Sequence, residues 1–386
     1  MTDNLVFRVG IIGGGRQGTH AARAYHLHPR TKVAAVADTD PENLKLFCER
    51  FDVPGYSSYE EMLSAQDLDI AAPILPVRAN PDAVVACARA GVKGIFCEKP
   101  LAANLADADR MVEECAARGI PLVAGLVISS HPDYRKAYQL AAGGEIGELL
   151  RINLYEGNKQ LGTHGLNIAS KFAGRADADF VVGFVSNDPD GEHEEDYGGG
   201  EKWYGSIGGY IRFSNGIECF SSFTGPAGGP AHRGIEVVGT HGIITNVNNT
   251  GLGLRLFKTD DPRKSPELTE VEGLFLPFPR AAERPHDDEG WRLPSDTSMA
   301  SIDALVESMD TGKPCEATTG DDLRRALEIA IALRESARNG SAPFKLPVAD
   351  RSIMMYPEAW RWKYKKEVYG EEWYREQMSQ HIRKVE

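Results

Sequence analysis

The sequence predicts an α/β domain with a doubly wound parallel sheet, followed by an α+β domain with an open, mainly antiparallel sheet. Three observations carry that expectation. Over residues 5–125 short apolar runs alternate with helical stretches, the pattern of parallel strands joined by crossover helices. From Leu149 to Leu256 strand-like runs dominate, with a hairpin signal at Asn215-Gly216. The length, 386 residues, suits two domains of about 100–200 residues each. The expected boundaries are 1–126 for the first domain, 127–350 for the second, and 351–386 for a helical, aromatic extension.

In the first domain Val6–Ile12 reads as a buried strand, Thr19–Leu27 as a helix stopped by Pro29, and Lys32–Ala37 as a second strand. Pro41–Phe51 reads as a helix, with Asp40 able to accept from its first free N–H groups and Pro41 suited to its first position. Asp69–Leu75, Val92–Cys97 and Pro121–Gly125 are expected as strands, separated by helices over Pro81–Ala90 and Asn104–Arg118 that Gly91 and Gly119 end. In the second domain a helix is expected over Pro132–Ala142 and another over Leu166–Phe172. The strands expected there are Leu149–Leu154, Ile207–Phe213, Ile217–Phe223 and Gly234–Val238. Two further helices are expected near Met299–Met309 and Asp321–Arg338, after a Pro-rich, charged excursion over 257–298.

Composition narrows the function. Acidic residues outnumber basic ones 56 to 43, a net charge of −13, and no basic stripe is present, so nucleic acid and anionic membranes are poor partners. No apolar run reaches the ~20 residues of a membrane span. The first residues show no charged-then-apolar leader, and none of the six cysteines stands in a CxxC spacing; the expectation is a reduced, cytoplasmic protein with buried thiols and no structural metal.

Gly13-Gly14-Gly15-Arg16-Gln17-Gly18 contains G-x-G-x-x-G between a strand and a helix. In that context Gly13 serves the tight turn, Gly15 the approach of a pyrophosphate, and Gly18 the packing of helix on strand, as in a Rossmann domain. The helix N-terminus then holds the pyrophosphate through its free N–H groups. Asp38, twenty residues after Gly18 at the end of the second strand, is placed to accept from adenosine ribose hydroxyls and to repel a 2′-phosphate, so NAD is expected rather than NADP. Arg16 and Gln17 in the loop, and Pro76 beyond the third strand, complete the expected cofactor contacts with Glu98 and Lys99. Glu98-Lys99-Pro100 follows the fourth expected strand, at the edge where such sheets bind ligands.

These segments resemble the Gfo/Idh/MocA family, the oxidoreductases named for glucose–fructose oxidoreductase, inositol dehydrogenase and a rhizopine-catabolism protein. The resemblance runs through Val9–Gly18, Cys97-Glu98-Lys99-Pro100-Leu101, Gly144-Glu145-Ile146-Gly147-Glu148 and Gly162-Thr163-His164. It continues through Ile211–Gly216, Val237–Gly242, Ser301–Leu305 and Leu323–Ser336, and stops near Asp350. It implies that Lys99 is the catalytic lysine, that His164 is the catalytic histidine, and that Glu98 lies beside the nicotinamide ribose. It also implies a homo-oligomer, a dimer or tetramer in which a second copy covers the open sheet.

The chemistry is consistent with those roles. Oxidising a secondary alcohol removes a hydride and a proton from one carbinol; a histidine can take the proton, and an ammonium can stabilise the charge developing on the oxygen. Burial beside a cationic nicotinamide is expected to favour the neutral lysine. Three departures stand out: Gln160 where the family commonly has an aspartate, Asn167 where it often has an acid, and Ser129 where an arginine is expected. Gln160 still donates and accepts hydrogen bonds, so Asn158, Gln160, Lys99 and His164 form the expected substrate-binding set, with Lys159 as a further candidate.

Other features invite blander readings. His193, among the acids of 190–196, has no second histidine at helical spacing and reads as part of a solvated turn. Tyr197, Trp203 and Tyr204 suit either sheet packing or a sugar face, and Cys97 reads as an inert core thiol. The expected function is an NAD-dependent dehydrogenase acting on a secondary hydroxyl of a sugar, sugar derivative, glycoside or cyclitol. A redox-neutral enzyme that retains and recycles NAD, and a non-catalytic nucleotide sensor, are the alternatives.

Overall fold

A computed structural model describes residues 5–125, 127–155, 162–185, 207–222, 234–247, 253–261, 267–275, 293–355, 370 and 372. Its first sheet is formed by β1 (Phe7–Ile12), β2 (Thr31–Ala37), β3 (Gly55–Tyr56), β4 (Ile70–Pro73), β5 (Gly94–Cys97) and β6 (Leu122–Ala124). The strands between them alternate with α1 (Arg16–Leu27), α2 (Pro41–Phe51), α3 (Tyr59–Ala65), α4 (Asn80–Ala90) and α5 (Leu105–Ala117). All six strands are parallel, in the order β3-β2-β1-β4-β5-β6. The strand order reverses at β1 and β4, which opens a crevice at their carboxyl ends.

The local chemistry explains these elements. Helices on both faces leave β1 with Val9 and Ile11 fully buried, hence its continuous apolar run. Asp40 caps α2, its Oδ1 accepting from the N–H groups of Glu42 at 2.8 Å and Asn43 at 3.3 Å. Tyr25 of α1 meets Phe96 of β5 edge-on, ring centroids 5.7 Å apart. β3 and α3 were not among the expected elements. β3 is too short to show alternation, but Ser58-Tyr59-Glu60-Glu61 carries a readable start signal: the Ser58 hydroxyl accepts from the Glu61 N–H at 3.3 Å.

Among the described residues the second sheet has nine strands. After α6 (Pro132–Ala142) come β7 (Leu149–Leu154), α7 (Gly165–Phe172), β8 (Ala178–Val185), β9 (Ile207–Phe213) and β10 (Glu218–Ser221). Then follow β11 (Ile235–Gly239), β12 (Gly242–Thr245), β13 (Arg255–Lys258) and β14 (Thr269–Glu270), α8 (Asp296–Thr311), α9 (Gly320–Arg338) and β15 (Phe344–Lys345). The order is β14-β13-β12-β11-β7-β10-β9-β8-β15, antiparallel except where β10 pairs with β7. The Asn215-Gly216 hairpin forms with a three-residue loop: Phe213 N–H donates to Ile217 O, Gly216 N–H to Phe213 O, and Gly216 takes φ +88°.

One face of this sheet is core. Ile152, Val181, Ile211, Cys219, Val237 and Ile244 are fully buried there, and α9 lies so close that a Cβ on Gly183 would fall 1.8 Å from the Leu333 carbonyl oxygen. The alternate residues face outward. There Tyr210 packs against Phe220 and Phe180, at 5.2 and 5.8 Å between centroids, and Phe220 and Phe184 remain 44% and 42% exposed.

By packing, the described residues divide into two units that interleave along the chain. Those within Met1–Ser130, Arg284–Asp321 and Ala359–Glu386 belong to one, those within His131–Glu283 and Asp322–Glu358 to the other. Within the first, α8 lays Ile302, Leu305 and Val306 into the core formed by Val9, Val33, Ile70 and Phe96. It is held at the surface by His28 Nε2 against Asp303 at 2.9 Å and Arg30 against Asp310 at 2.7 Å. Gly94 of β5 leaves room for it, since a Cβ there would fall 2.7 Å from Met309 Sδ. No helix among the described residues is long and apolar enough to cross a membrane.

Candidate active site

The expected nucleotide residues gather at the carboxyl ends of β1, β2, β4 and β5. Gly13 takes φ +94°, and a Cβ there would lie 2.5 Å from the Ile74 carbonyl oxygen. Gly18 is tighter, its imagined Cβ 1.7 Å from the Gly13 oxygen. Both glycines are therefore required by the fold itself. Gly15 is not: among the described residues a Cβ there would meet only Asn43 Nδ2, at 3.7 Å. Gly15 also precedes α1, which begins without a side-chain cap, and a helix N-terminus of that kind favours an anion. The open cradle, the uncapped helix and a carboxylate at the end of β2 together fit a dinucleotide.

That carboxylate is Asp38. Its Oδ2 accepts from the Gly14 N–H at 2.6 Å and its Oδ1 from the Asp40 N–H at 2.8 Å. Asp38 thus pins the fingerprint loop to β2 as well as facing the crevice, a second task that the sequence pattern did not reveal. Gln17 is half-buried in the first turn of α1, and Pro76 lies exposed beyond β4, its carbonyl accepting from the Ala79 N–H at 2.9 Å.

Glu98 follows β5, and its N–H donates to the Pro73 carbonyl at 2.9 Å, tying it to the end of β4. The residue is 8% exposed and its carboxylate stands 3.6 Å from Lys99 Nζ. Burial raises the Glu98 pKa above its ordinary value; the opposing pull of Lys99 and, more weakly, of Arg16 in the fingerprint loop does not cancel it. The Arg16 charge therefore couples the loop after β1 electrostatically to the carboxylate after β5. Asn80, which the sequence reading passed over, holds this segment from below: its Nδ2 donates to the Glu98 carbonyl at 3.0 Å and the Pro100 carbonyl at 3.2 Å.

A raised carboxyl pKa has a definite sign for stability. Glu98 costs nothing at a pH below its unfolded pKa, and destabilises the fold increasingly as pH rises through its folded value. Glu98→Gln is therefore expected to raise the thermal midpoint at neutral pH, since it removes the charge that burial opposes. Scanning calorimetry without nucleotide should show the two proteins converging near about pH 4; a lower midpoint for the variant at neutral pH would mean that pairing with Lys99 outweighs burial.

His164 belongs to the second unit, at the residue preceding α7, and is half-buried. Every residue of α7 is buried. Its far end is anchored by Lys171, whose Nζ stands 3.7 Å from Asp322 Oδ2, while Arg175 Nε meets Asp322 Oδ1 at 2.5 Å. Thr163 is buried and Gly162 takes φ +71°, where a Cβ would meet the Ala326 carbonyl oxygen at 2.8 Å. The histidine thus sits on a rigid element. Asn158, Lys159 and Gln160 lie outside the described residues, as do His193, Tyr197, Trp203 and Tyr204.

Two other expectations acquire a physical setting. Ser129, in place of the arginine that the resemblance leads one to expect, is fully buried, its hydroxyl 2.5 Å from that of Thr318. The neighbouring Ser130 hydroxyl accepts from the Thr318 N–H at 2.9 Å, so this turn clasps the returning segment. Cys97 is buried and burial drives its thiol well above its ordinary pKa, as suits a core residue and not a nucleophile.

Residues 7–126 match the family model described as an oxidoreductase family with an NAD-binding Rossmann fold, Gfo/Idh/MocA. Myo-inositol 2-dehydrogenase of Thermotoga maritima is 32% identical over 148 residues, 38% of this chain and 44% of that protein. The 2,7-anhydro-N-acetylneuraminate hydratase of Escherichia coli is 29% identical over 141 residues, 36% of this chain and 38% of that protein. The chain thus spans less than half the length of these curated relatives. The fold also matches levoglucosan dehydrogenase in complex with NADH, with a TM-score of 0.70 and 19% identity over 88% of this chain and 99% of that one.

Proposed function

We propose, from a nucleotide-binding domain that belongs to the Gfo/Idh/MocA oxidoreductases, that the protein is an NAD-dependent dehydrogenase of a secondary hydroxyl. The substrate class is a sugar, sugar derivative, glycoside or cyclitol. The observation that carries this is the Glu98–Lys99 pair at the end of β5, at the crevice edge that the open Gly15 cradle and Asp38 share. The inositol and levoglucosan dehydrogenases among the similar proteins support the substrate class.

When bound, the nicotinamide supplies the hydride acceptor. Gly13, Gly15, Arg16, Gln17 and Gly18 hold the phosphates, with Pro76 and Glu98 further along the crevice. Asp38 has lone pairs beyond those engaged by Gly14 and Asp40, and accepts from the ribose hydroxyls; its negative charge opposes a 2′-phosphate, hence NAD over NADP. The Lys99 ammonium donates to the carbinol oxygen and stabilises the charge that develops there. The His164 imidazole takes the hydroxyl proton. Asn158 and Gln160, upstream of His164, bind substrate hydroxyls, Gln160 as both donor and acceptor. A second copy of the chain covers the aromatic face around Tyr210 and Phe220, which as a dimer or tetramer removes those rings from water.

A redox-neutral variant of this chemistry has one observation in its favour, the similarity to a hydratase. In that case NAD would be retained and recycled. Purified protein decides: nucleotide released on denaturation is quantified, while absorbance at 340 nm is followed with NAD or NADP and a panel of sugars, glycosides and inositols. Reduction of added NAD by one compound class is the expected result. Stoichiometric released nucleotide without net reduction selects the redox-neutral reading, and failure to carry or bind any nicotinamide nucleotide removes both.

A further inference from the structure

We propose that Asn80 is the positioning residue of the Lys99 segment, a carboxamide strap that fixes the backbone on both sides of the catalytic lysine. Its link to turnover rests on the dehydrogenase reading above; its action on Lys99 does not. Asn80 is the first residue of α4 and is fully buried. Its single NH₂ group donates to two carbonyls, that of Glu98 at 3.0 Å and that of Pro100 at 3.2 Å. These are the residues immediately before and after Lys99, so the amide bonds the peptide unit that enters Lys99 and the one that leaves Pro100, bracketing the point where the lysine side chain begins.

The orientation of the amide is dictated by its partners. Both are carbonyl oxygens, which only accept, so only the NH₂ edge can face them. The Oδ1 is thereby turned away, and among the described residues this buried atom has no hydrogen-bond partner. A group placed for stability alone would satisfy both of its edges. Here one edge is left without a bond while the other holds two points of one loop, which is what rigid placement of a short functional segment requires. Pro81 follows directly and Ala79 N–H is bonded to Pro76, so the strap is mounted on a backbone with little freedom of its own.

Replacing the amide should loosen Lys99 without opening the unit. Asn80→Ala loses both donors; Asn80→Asp keeps the shape and loses at least one donor at any pH. The readout is the acylation rate of Lys99 by an amine-reactive ester, measured by peptide mass spectrometry, with Lys45, 74% exposed, as the internal reference. Lys99 labelling relative to Lys45 is expected to rise roughly fivefold in Asn80→Ala and roughly twofold to threefold in Asn80→Asp, as for a local opening. Cys87 and Cys115, both buried in the same unit, should stay unreactive towards a thiol reagent.

With any panel compound that is turned over, kcat should fall at least about tenfold while the KM for NAD stays within about threefold, as for a misplaced catalytic group. Unchanged Lys99 labelling in both variants overturns the proposal. So does exposure of Cys87 and Cys115 in both, which would make Asn80 a support of the whole unit. A panel without turnover removes the dehydrogenase reading but leaves the labelling result to decide the role of Asn80.

Discussion

Lys99→Met is expected to lower turnover by about 10³-fold, the loss typical of removing a charge that stabilises a developing oxyanion. NADH affinity, followed by nucleotide fluorescence, should remain within roughly threefold, because the methionine keeps most of the bulk and the phosphate cradle is untouched. Two structural facts make this sharp. Lys99 is only 18% exposed in its side chain and stands 3.6 Å from a buried carboxylate, so it is not a solvated surface lysine whose removal is neutral. The segment is also held at both flanking carbonyls, so the variant should keep its backbone. Residual activity above about a tenth of the original would take Lys99 out of the chemical step. A non-catalytic sensor, by contrast, would keep nucleotide binding and have no turnover to lose.

The second large effect separates two glycines of one loop. Gly18→Ala places a methyl where the Gly13 oxygen already lies, 1.7 Å away; that contact involves backbone, so the turn must move. The expected result is a loss of at least about 3 kcal/mol, at the upper end of what overpacking costs, with NADH binding weakened a hundredfold or more or the protein recovered unfolded. Among the described residues Gly15→Ala meets only Asn43, at 3.7 Å, so its thermal midpoint without nucleotide should stay within roughly 2 °C of the original. Its NADH affinity should nevertheless fall by about a hundredfold, because the methyl fills the space a pyrophosphate needs. Calorimetry and nucleotide titration on both variants test the pair. If Gly15→Ala binds NADH normally, the phosphates do not sit over that residue.

Much of the nucleotide half could be read from residue pattern because its signals are local. Apolar runs mark β1, β2, β4 and β5, Asp40-Pro41 starts α2, and the glycines mark turns whose geometry only glycine tolerates. The same holds for the hairpin at Asn215-Gly216 and for the buried state of Cys97. What escaped is what depends on neighbours distant in sequence. β3 has two residues and no period to detect. Nothing in the composition of α8 says which sheet its apolar face covers. Asn80 looks like any polar residue before a proline until its amide is seen between two carbonyls. Asp38 reads as a ribose ligand, and its bond to Gly14 depends on a contact 24 residues away. On the substrate side the limit is of another kind: Asn158 and Gln160 lie outside the described residues, and recognition of a particular hydroxyl is a matter of placement that residue type does not encode.

The return of α8 to the first unit has a consequence for how the chain acquires its shape as it is made. The parallel sheet is complete once β6 has been synthesised, yet the helix that fills the pocket over Gly94 and joins the Val9–Phe96 core begins roughly 170 residues later. At translation speeds of about 5–20 residues per second, the nascent nucleotide domain waits on the order of ten to thirty seconds with that apolar surface uncovered. A fragment ending at residue 126 would present the same surface permanently. Birth order thus makes the first-made sheet of the molecule depend on one of its last-made helices.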